Sequence, residues 1–415
     1  MSIKGVIISK ATPQPGAKPV NESTSGLIAN GVAVASKLEL DKTYVLYSKA
    51  DAEFLGVNEA YDIANKVILY HHISEFFEEA GEGVKLYLRV VAQSVGVTDI
   101  VDTENNHAKA LIDDAEGEVF QLAVAFNPAS GYTPVVDGID QDVLNAIPKA
   151  QVLCDWAFSK MYPTRVILEG KYYTGPASSV PDLRSLVNVV APNVSVVIGQ
   201  DLFFAQKLSE YNSYAAVGTC LGTIGRAAVS ENIGWVEKFN LTNAKKERWL
   251  SAGLSDHKSV TDAQSEWSIL DQKGYIFPIK YSRLDGFRWN NDHVCTPVVI
   301  DNEGNMNESQ IRFSRTIDKA ALAAYGALLP SVKSPQPVNP SNGKVPPIVI
   351  LNFKTLVEKQ IDSDLSGEIS GRVVVIDKDS NLLPPNPELK VGLSVVPMGS
   401  ADTINVKLKL TNKVE

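Results

Sequence analysis

The stretch that decides the fold reads VKLYLRVVA and occupies residues 84–92. It is almost continuously apolar, which is typical of a strand buried on both faces of a sheet. Three further apolar stretches follow at residues 119–126, 165–168 and 194–198, and helical segments separate them. Strands that alternate with helices in this way predict a mainly parallel sheet covered by helices. One of these helices is predicted to run from an N-cap at Asn58 to about Ala80.

The second half of the sequence has a different pattern. Apolar residues at helical spacing predict helices over residues 314–329 and 351–364, with a loop rich in Pro, Asn and Ser between them. Three strands are then predicted at residues 371–376, 389–396 and 403–410. We therefore expect a smaller α+β module after the parallel sheet, so that the fold class is α/β plus α+β.

The two ends of the chain carry short strands of their own. Residues 403–410 alternate strictly between polar and apolar side chains, and residues 3–8 form a short apolar strand before a loose stretch. Such strands at both extremities favour pairing with another copy of the chain. The alternative is that residues 403–410 complete the sheet of their own domain. The predicted organisation is an N-terminal strand arm and tether (1–22), an α/β domain (23–255), a C-terminal α+β domain (256–400) and a C-terminal strand arm (401–415).

The composition is ordinary for a folded soluble protein and argues against nucleic-acid binding. Apolar residues make up 44% of the chain, charged residues 21%, and the formal net charge is −9. Cys154, Cys220 and Cys295 form no CxxC pair, which predicts buried free thiols in a reducing compartment. No stretch resembles a signal peptide or reaches the length of a membrane span. We expect the chain to fold in the cytoplasm of its cell without inserting into a membrane.

No arrangement of residues predicts a catalytic, cofactor or metal site. The glycine-rich run at residues 218–226 lacks the Lys-Ser/Thr of a P-loop, and close helix packing explains it better. His71 and His72 are adjacent on one helix, so their side chains diverge by about 100° and do not easily share a metal. His293 precedes Cys295 closely, but a Cys/His nucleophile needs partners that the sequence does not identify. We therefore expect a protein that is not an enzyme and binds no cofactor.

Three segments of the chain carry a family resemblance. The first is RLDGFRWN at residues 283–290, and the second is IRFSRTI at residues 311–317, where a long helix begins. The third is the ending, residues 386–397 and 401–406, with a strand, a proline turn and a final strand. In this order and spacing they resemble contractile tail sheath proteins of phages and phage-like injection systems. Asn290 stands where the family usually has glycine. The likeness covers roughly residues 275–410 and the N-terminal arm.

This resemblance implies a structural subunit that polymerises helically around an inner tube and contracts to drive the tube through a target envelope. It implies a sheath-type C-terminal domain and neighbours linked by exchanged terminal β-strands. The partners would be further copies of the chain, the inner tube protein, and baseplate and terminator proteins, within a phage tail or injection particle assembled in a bacterial cytoplasm.

Specific residues follow from this hypothesis. The linking strands and their receiving hairpin are expected to contain Ile3, Val6, Ile8, Ile404, Val406, Leu408, Leu410, Val373, Val375, Leu393 and Val395. The helix over residues 351–364 is a candidate tube-facing surface, through the carboxylates of Glu358, Asp362 and Asp364.

Two other functional classes fit the sequence less well. A soluble α/β enzyme, such as a hydrolase, would place its active site on the loops after the parallel strands. A non-contractile lattice protein, such as a capsid or surface-layer subunit, would share the self-association but not the contraction.

Overall fold

The computed structural model describes residues 21–384 and 387–411 of the 415. In that part of the chain, no helix is both long and apolar enough to span a membrane. Its strands are β1 (Ser25–Gly31), β2 (Thr43–Leu46), β3 (Leu86–Ala92), β4 (Gln121–Ala125), β5 (Val136–Asp137), β6 (Ile139–Asp140), β7 (Arg165–Glu169), β8 (Val194–Val197), β9 (Gly199–Asp201), β10 (Ala252–Leu254), β11 (Tyr275–Ile276), β12 (Pro278–Ile279), β13 (Arg288–Trp289), β14 (Ile369–Ile376) and β15 (Val391–Pro397). Its α-helices are α1 (Lys49–Phe54), α2 (Glu59–Asn65), α3 (Tyr70–Ala80), α4 (Val97–Val101), α5 (Ala108–Asp114), α6 (Gln141–Ser159), α7 (Leu202–Ala205), α8 (Val217–Arg226), α9 (Trp267–Gln272), α10 (Ile311–Leu328) and α11 (Pro347–Asp364).

A seven-stranded sheet organises the first part of the molecule, in the order β11-β8-β7-β4-β1-β3-β2. Every neighbouring pair is parallel except β2 and β3, so only one edge strand runs the other way. All residues of β1, β4, β7 and β8 are buried. Because alternate side chains of a strand point to opposite faces, both faces of the central sheet are covered. The predicted mainly parallel sheet is confirmed.

The helix predicted from Asn58 to Ala80 is instead two helices, so this prediction is wrong. The break lies at Lys66, whose φ of 54° is left-handed and ends α2. The buried carboxylate of Asp62 then accepts the main-chain N–H groups of Leu69, Tyr70 and His71 at 3.0–3.1 Å. These N–H groups would otherwise lack partners at the start of α3, and a side chain one turn inside α2 satisfies them.

The glycine-rich run becomes helix α8, which packs directly against α3. A Cβ atom on Gly218 would lie 2.3 Å from the carbonyl oxygen of His72, and one on Gly222 would lie 2.6 Å from that of Phe76. No side chain fits between the two backbones at these positions. The interpretation of the run as a close helix contact is therefore confirmed.

A second, smaller hydrophobic core lies between α10, α11 and the antiparallel β14–β15 hairpin. Val349, Phe353, Val357 and Ile361 of α11 are buried there. By contrast, residues 256–310, predicted to belong to the C-terminal domain, contribute β11 to the main sheet and pack into the first core. The division between the two cores thus falls near Ile311, where α10 begins. Short strands and isolated aromatic residues carry no periodicity that assigns them to one core or the other.

Helix α10 belongs to both cores. Its start is capped by the buried Asp292, whose carboxylate accepts the N–H of Arg312 at 3.0 Å. The first turns bury polar residues against the main domain, among them Arg315 and Asp318. The later turns bury Ala320, Ala323 and Ala327 in the second core. A single helix therefore fixes the position of the second core relative to the sheet.

A buried ion pair fastens α10 to the main sheet. The guanidinium of Arg165, the first residue of β7, donates to the carboxylate of Asp318 at 2.5 Å, and both side chains are buried. Burial raises the pKa of Asp318 to about 6, because the cost of desolvating the carboxylate outweighs the attraction of Arg165. Burial, with repulsion from Arg165, lowers the pKa of Arg315 to about 9. Loss of Asp318 would therefore leave Arg165 buried without a counter-ion and beside a second buried guanidinium group.

Lys319, the next residue of α10, extends this connection to two other segments. Its ammonium contacts the carboxylates of Glu22 at 2.8 Å and Glu368 at 2.7 Å. Glu22 precedes β1 of the main sheet and Glu368 precedes β14 of the second core. One lysine thereby joins the start of the first domain to the start of the hairpin.

Replacing Asp318 by leucine should lower the free energy of unfolding by about 3–5 kcal/mol, because it leaves Arg165 buried without a counter-ion. The double variant Arg165→Met/Asp318→Leu should recover most of that loss, since no unpaired charge remains at the pair. Urea unfolding followed by the fluorescence of the buried Trp249 and Trp289 measures both. Lys344→Ala, which removes an exposed ion pair with Asp379, is the control and should leave the midpoint unchanged. A single variant as stable as the control would contradict the role given to the pair.

Candidate assembly surfaces

Within the described residues, the C-terminal arm (residues 401–410) forms no strand, although one is predicted at residues 403–410, and its apolar side chains are exposed. The exposed fractions of its apolar side chains are 79% for Ile404, 73% for Val406, 93% for Leu408 and 101% for Leu410. No main-chain hydrogen bond joins residues 403–410 to another described residue. Among the described residues, this strand pattern therefore has exposed apolar side chains and no strand to pair with, which is typical of a segment that pairs elsewhere. Within the described residues, the arm does not complete the sheet of its own domain.

The β14–β15 hairpin has two different faces. On one face, Val374 and Ile376 are buried in the second core, and Leu393 and Val395 pack against it. On the other face, Val373 and Val375 are 56% and 58% exposed, and Val396 is 58% exposed. The four residues predicted for the receiving hairpin are thus divided, with Val373 and Val375 outside and Leu393 and Val395 inside. The pairing of the two strands explains this division. Val374 stands opposite Leu393, so these two side chains share a face, and Val373, one residue earlier, points to the other face.

The hairpin also has unpaired edges. It forms a sheet of two strands, so within the described residues each strand pairs on one side only. Exposed strand edges offer N–H and C=O groups to a further strand, and exposed valines offer it an apolar surface. Both features are what an incoming strand such as the C-terminal arm requires. Ile3, Val6 and Ile8, the predicted residues of the N-terminal arm, lie outside the described residues.

The three carboxylates predicted on α11 are engaged within the chain. Arg372 of β14 donates to Asp362 at 2.7 and 2.5 Å and contacts Glu358 at 3.0 Å. Hydrogen bonding to Arg372 lowers the pKa of Asp362. Asp364 accepts a hydrogen bond of 2.9 Å from Gln360, one helical turn earlier. These contacts hold α11 against the hairpin. Sequence reasoning missed Arg372, since a lone arginine in a strand carries no signal of its partner.

At the edge of the sheet where an α/β enzyme would bind its substrate, polar side chains are hydrogen-bonded to main-chain groups. The hydroxyl of Tyr61 accepts from the N–H of Val32 at 2.7 Å and donates to its carbonyl oxygen at 2.6 Å, just after β1. Asn127, after β4, donates to the carbonyl oxygen of Asn30 at 3.1 Å, and its own side-chain oxygen accepts the N–H of Ile68. The polar groups that follow β1 and β4 are therefore hydrogen-bonded to one another across the crevice.

The candidate nucleophile does not have the surroundings of one. His293 contacts Asp271 at 2.7 Å and Arg184 at 2.5 Å, which accounts for both ring nitrogens. Burial raises the pKa of the Cys295 thiol and so disfavours the reactive thiolate. In the described part of the chain, no cluster of three His, Cys, Asp or Glu residues is arranged to hold a metal ion.

All three cysteines are buried and free, which gives a direct test of this interior. The native protein should not react with a thiol reagent such as dithionitrobenzoate at neutral pH, because burial raises the pKa of each thiol and blocks access. In the protein unfolded in guanidinium, all three thiols should react with the reagent at once. Rapid reaction of any thiol in the native state would show that this cysteine is accessible to the reagent, which would contradict its burial in the structure.

The fold is that of known sheath proteins. The chain is similar to the helical sheath of the anti-feeding prophage (AFP) in its contracted state, with a TM-score of 0.60, 15% identity and coverage of 100% of both chains. It is also similar to a chain of the six-fold symmetrised AFP baseplate, with a TM-score of 0.59, 13% identity and coverage of 99% of both chains. No curated protein matches the chain significantly.

A family model gives a match at the level of sequence. The model described as the N-terminal domain of DUF2586 matches residues 3–293, which is more than half of the chain. This region contains the whole seven-stranded sheet and ends before α10. The chain belongs to the DUF2586 family.

Proposed function

We propose that the chain is the structural subunit of a contractile sheath, which polymerises helically around an inner tube and contracts to drive the tube through a target envelope. The observation that carries this proposal is a C-terminal arm with exposed apolar side chains on a chain that has the fold of the contracted AFP sheath over its full length. A subunit of this kind needs no cofactor and is not an enzyme. It works by changing its contacts with identical neighbours.

In this proposal, the terminal arms link neighbouring copies by strand exchange. An added strand of about eight residues makes several main-chain hydrogen bonds, each worth about 1 kcal/mol net. It also covers apolar surface at about 25 cal/mol per Å². Ordering the arm costs about 1–2 kcal/mol per residue, so a single exchanged strand is marginal. Repetition of the contact along a helical polymer is what makes the assembly stable.

Strand exchange also suits contraction. Arms that stay paired keep subunits connected while the rigid bodies slide and rotate past one another. The buried contacts of α10 make each subunit such a body, because they join the two cores. Contraction would then be driven by a stored conformational difference between two packings of the same subunits, without nucleotide hydrolysis.

The partners in this proposal are further copies of the chain, the inner tube protein, and baseplate and terminator proteins. The likeness to a chain of the AFP baseplate assembly supports a place next to a baseplate. The particle would be a phage tail or an injection machine assembled in a bacterial cytoplasm, and the chain would bind no nucleic acid and insert into no membrane.

We also propose that α11 faces the inner tube. Ile348, Leu351 and Leu356 on this helix are 60%, 56% and 40% exposed, so the helix presents an uncovered apolar surface beside its carboxylates. Such a surface on an otherwise folded helix is typical of a contact with another protein. The ion pairs with Arg372 would hold the helix in place for that contact.

Replacing Val406 and Leu408 by aspartate should abolish tubes and leave a folded, soluble monomer, because the two carboxylates could not be buried against a neighbouring hairpin. Negative-stain electron microscopy of the wild-type and variant chains, expressed with their tube and baseplate proteins, is the measurement. Asn405→Asp is the matched control, since it adds a charge to the opposite face of the same arm. It should still form tubes.

Other outcomes of that experiment separate the alternatives. Normal tubes from the Val406→Asp/Leu408→Asp variant would rule out the strand assignment. Small uniform oligomers of the wild type would favour an enzyme, and sheets or shells would favour a non-contractile lattice protein.

Neutralising α11, as Glu358→Gln/Asp362→Asn/Asp364→Asn, should abolish assembly on the inner tube if these carboxylates face it. Arg372→Gln is the matched control, because it breaks the same internal ion pairs and keeps the carboxylates. Co-sedimentation of each variant with preformed tubes is the measurement. Equal binding by the two variants, whether both keep or both lose it, would show that the carboxylates do not recognise the tube.

A further inference from the structure

A hairpin loop at residues 297–307, here called the 297–307 hairpin, is closed by an isolated bridge between Ile300 and Met306 and exposes several large apolar side chains. Residues 297–306 are all exposed. The exposed fractions of its large side chains are 58% for Val298, 50% for Val299, 63% for Ile300 and 48% for Met306. Neither the sheet nor the second core covers them. A run of exposed apolar residues on a folded domain typically marks an interaction surface.

Hydrogen bonds within the 297–307 hairpin join its two sides and close its tip. The N–H of Asn307 donates to the carbonyl oxygen of Val299 at 3.2 Å, and that of Asp301 donates to Asn305 at 3.0 Å. At the tip, the Asp301 carboxylate accepts the N–H groups of Glu303 and Asn305 at 2.9 and 2.8 Å. Gly304 provides the positive φ of 86° that the turn needs. The apolar side chains are therefore presented in a fixed arrangement.

Both faces of the 297–307 hairpin are apolar. Ile300 pairs directly with Met306 across the hairpin, so these two side chains share a face. Val298 lies two residues from Ile300 on the same face, whereas Val299 points to the opposite one. A hairpin that packs on one partner surface needs only one apolar face. Apolar residues on both faces are expected where a hairpin is enclosed from two sides.

The base of the hairpin adds to the same surface. Ala191 and Cys295 pair in an antiparallel bridge, with the N–H of Ala191 donating to Cys295 at 3.0 Å. The loop that leads to Ala191 contains Val187 and Val190, which are 85% and 66% exposed. The bridge therefore joins the loop that carries Val187 and Val190 to the base of the hairpin.

The start of the C-terminal arm lies near the hairpin base. The carboxylate of Asp402 is close enough to act on the pKa values of Asp292 and His293, which lie just before Cys295. From there, residues 403–410 reach about 26 Å at about 3.3 Å per residue. If the arm is exchanged as proposed above, the copy that receives it therefore lies within about 26 Å of Asp402, whose charge acts on residues at the hairpin base.

We propose that the 297–307 hairpin, with Val187 and Val190 at its base, inserts between neighbouring copies of this chain as a rigid inter-subunit contact distinct from the exchanged strands. This inference rests on the proposed sheath function for the presence of neighbours. The contact adds a packed apolar surface to the flexible links that the arms provide. It also fixes the relative orientation of two subunits, which a strand on a tether does not do.

Thiol labelling of an Ile300→Cys variant tests the contact, because the natural cysteines are buried and give no background. In the free subunit, the introduced thiol should react with a maleimide at the rate of an exposed thiol. In sheaths isolated from particles, the rate should fall by about tenfold or more, because a buried thiol is shielded from the reagent. Oxidation of Met306 in the wild-type chain, measured by mass spectrometry, should show the same protection without any substitution.

The outcomes distinguish this inference from the proposed function. Sheaths that form normally but leave both the introduced thiol and Met306 as reactive as in the free subunit would overturn the inference and leave the sheath function standing. If the wild-type chain enters no polymer in its own particles, the sheath function fails and the inference fails with it. A Val298→Thr/Ile300→Thr variant should form fewer or shorter sheaths, whereas Val332→Thr, at a comparably exposed valine after α10, should assemble as the wild type does.

Discussion

The buried ion pair between Arg165 and Asp318 is the interaction on which the organisation of the molecule depends. It joins a strand of the main sheet to the helix that also forms the second core. A buried pair of this kind adds little net stability compared with an apolar contact, because both ions lose their hydration. Its effect is specific, because a shift of α10 would leave Arg165 and Asp318 buried without each other. The two cores therefore behave as one body.

A folded body with exposed apolar segments is a physical basis for assembly. In the crevice at the ends of β1 and β4, where an enzyme would keep polar groups available, such groups are hydrogen-bonded to one another. The exposed apolar features lie at the surface instead: the C-terminal arm, the outer face of the β14–β15 hairpin and the 297–307 hairpin. The first two match flexible linkage between copies, and the third matches a fixed contact.

Strongly periodic segments were predictable from the sequence. The apolar strands of the parallel sheet, the helices α10 and α11 and the β14–β15 hairpin lie close to where their patterns predict them. The continuous helix expected from Asn58 to Ala80 is not formed. Its break at Lys66 depends on Asp62 reaching the N–H groups of the next helix, and this contact leaves no pattern in the sequence. The division between the cores near Ile311 also escaped prediction, since β11 is too short to show a period.

By itself, the sequence determined the parallel sheet, the absence of a recognisable catalytic motif and the alternation of residues 403–410, because each is a local pattern. Only the tertiary structure decided that Arg372 pairs with Glu358 and Asp362 of α11, that Val373 and Leu393 face opposite sides of the hairpin, and that residues 297–306 are exposed. These outcomes depend on which distant segments meet, and side-chain pairing across long separations leaves no periodic trace in the chain.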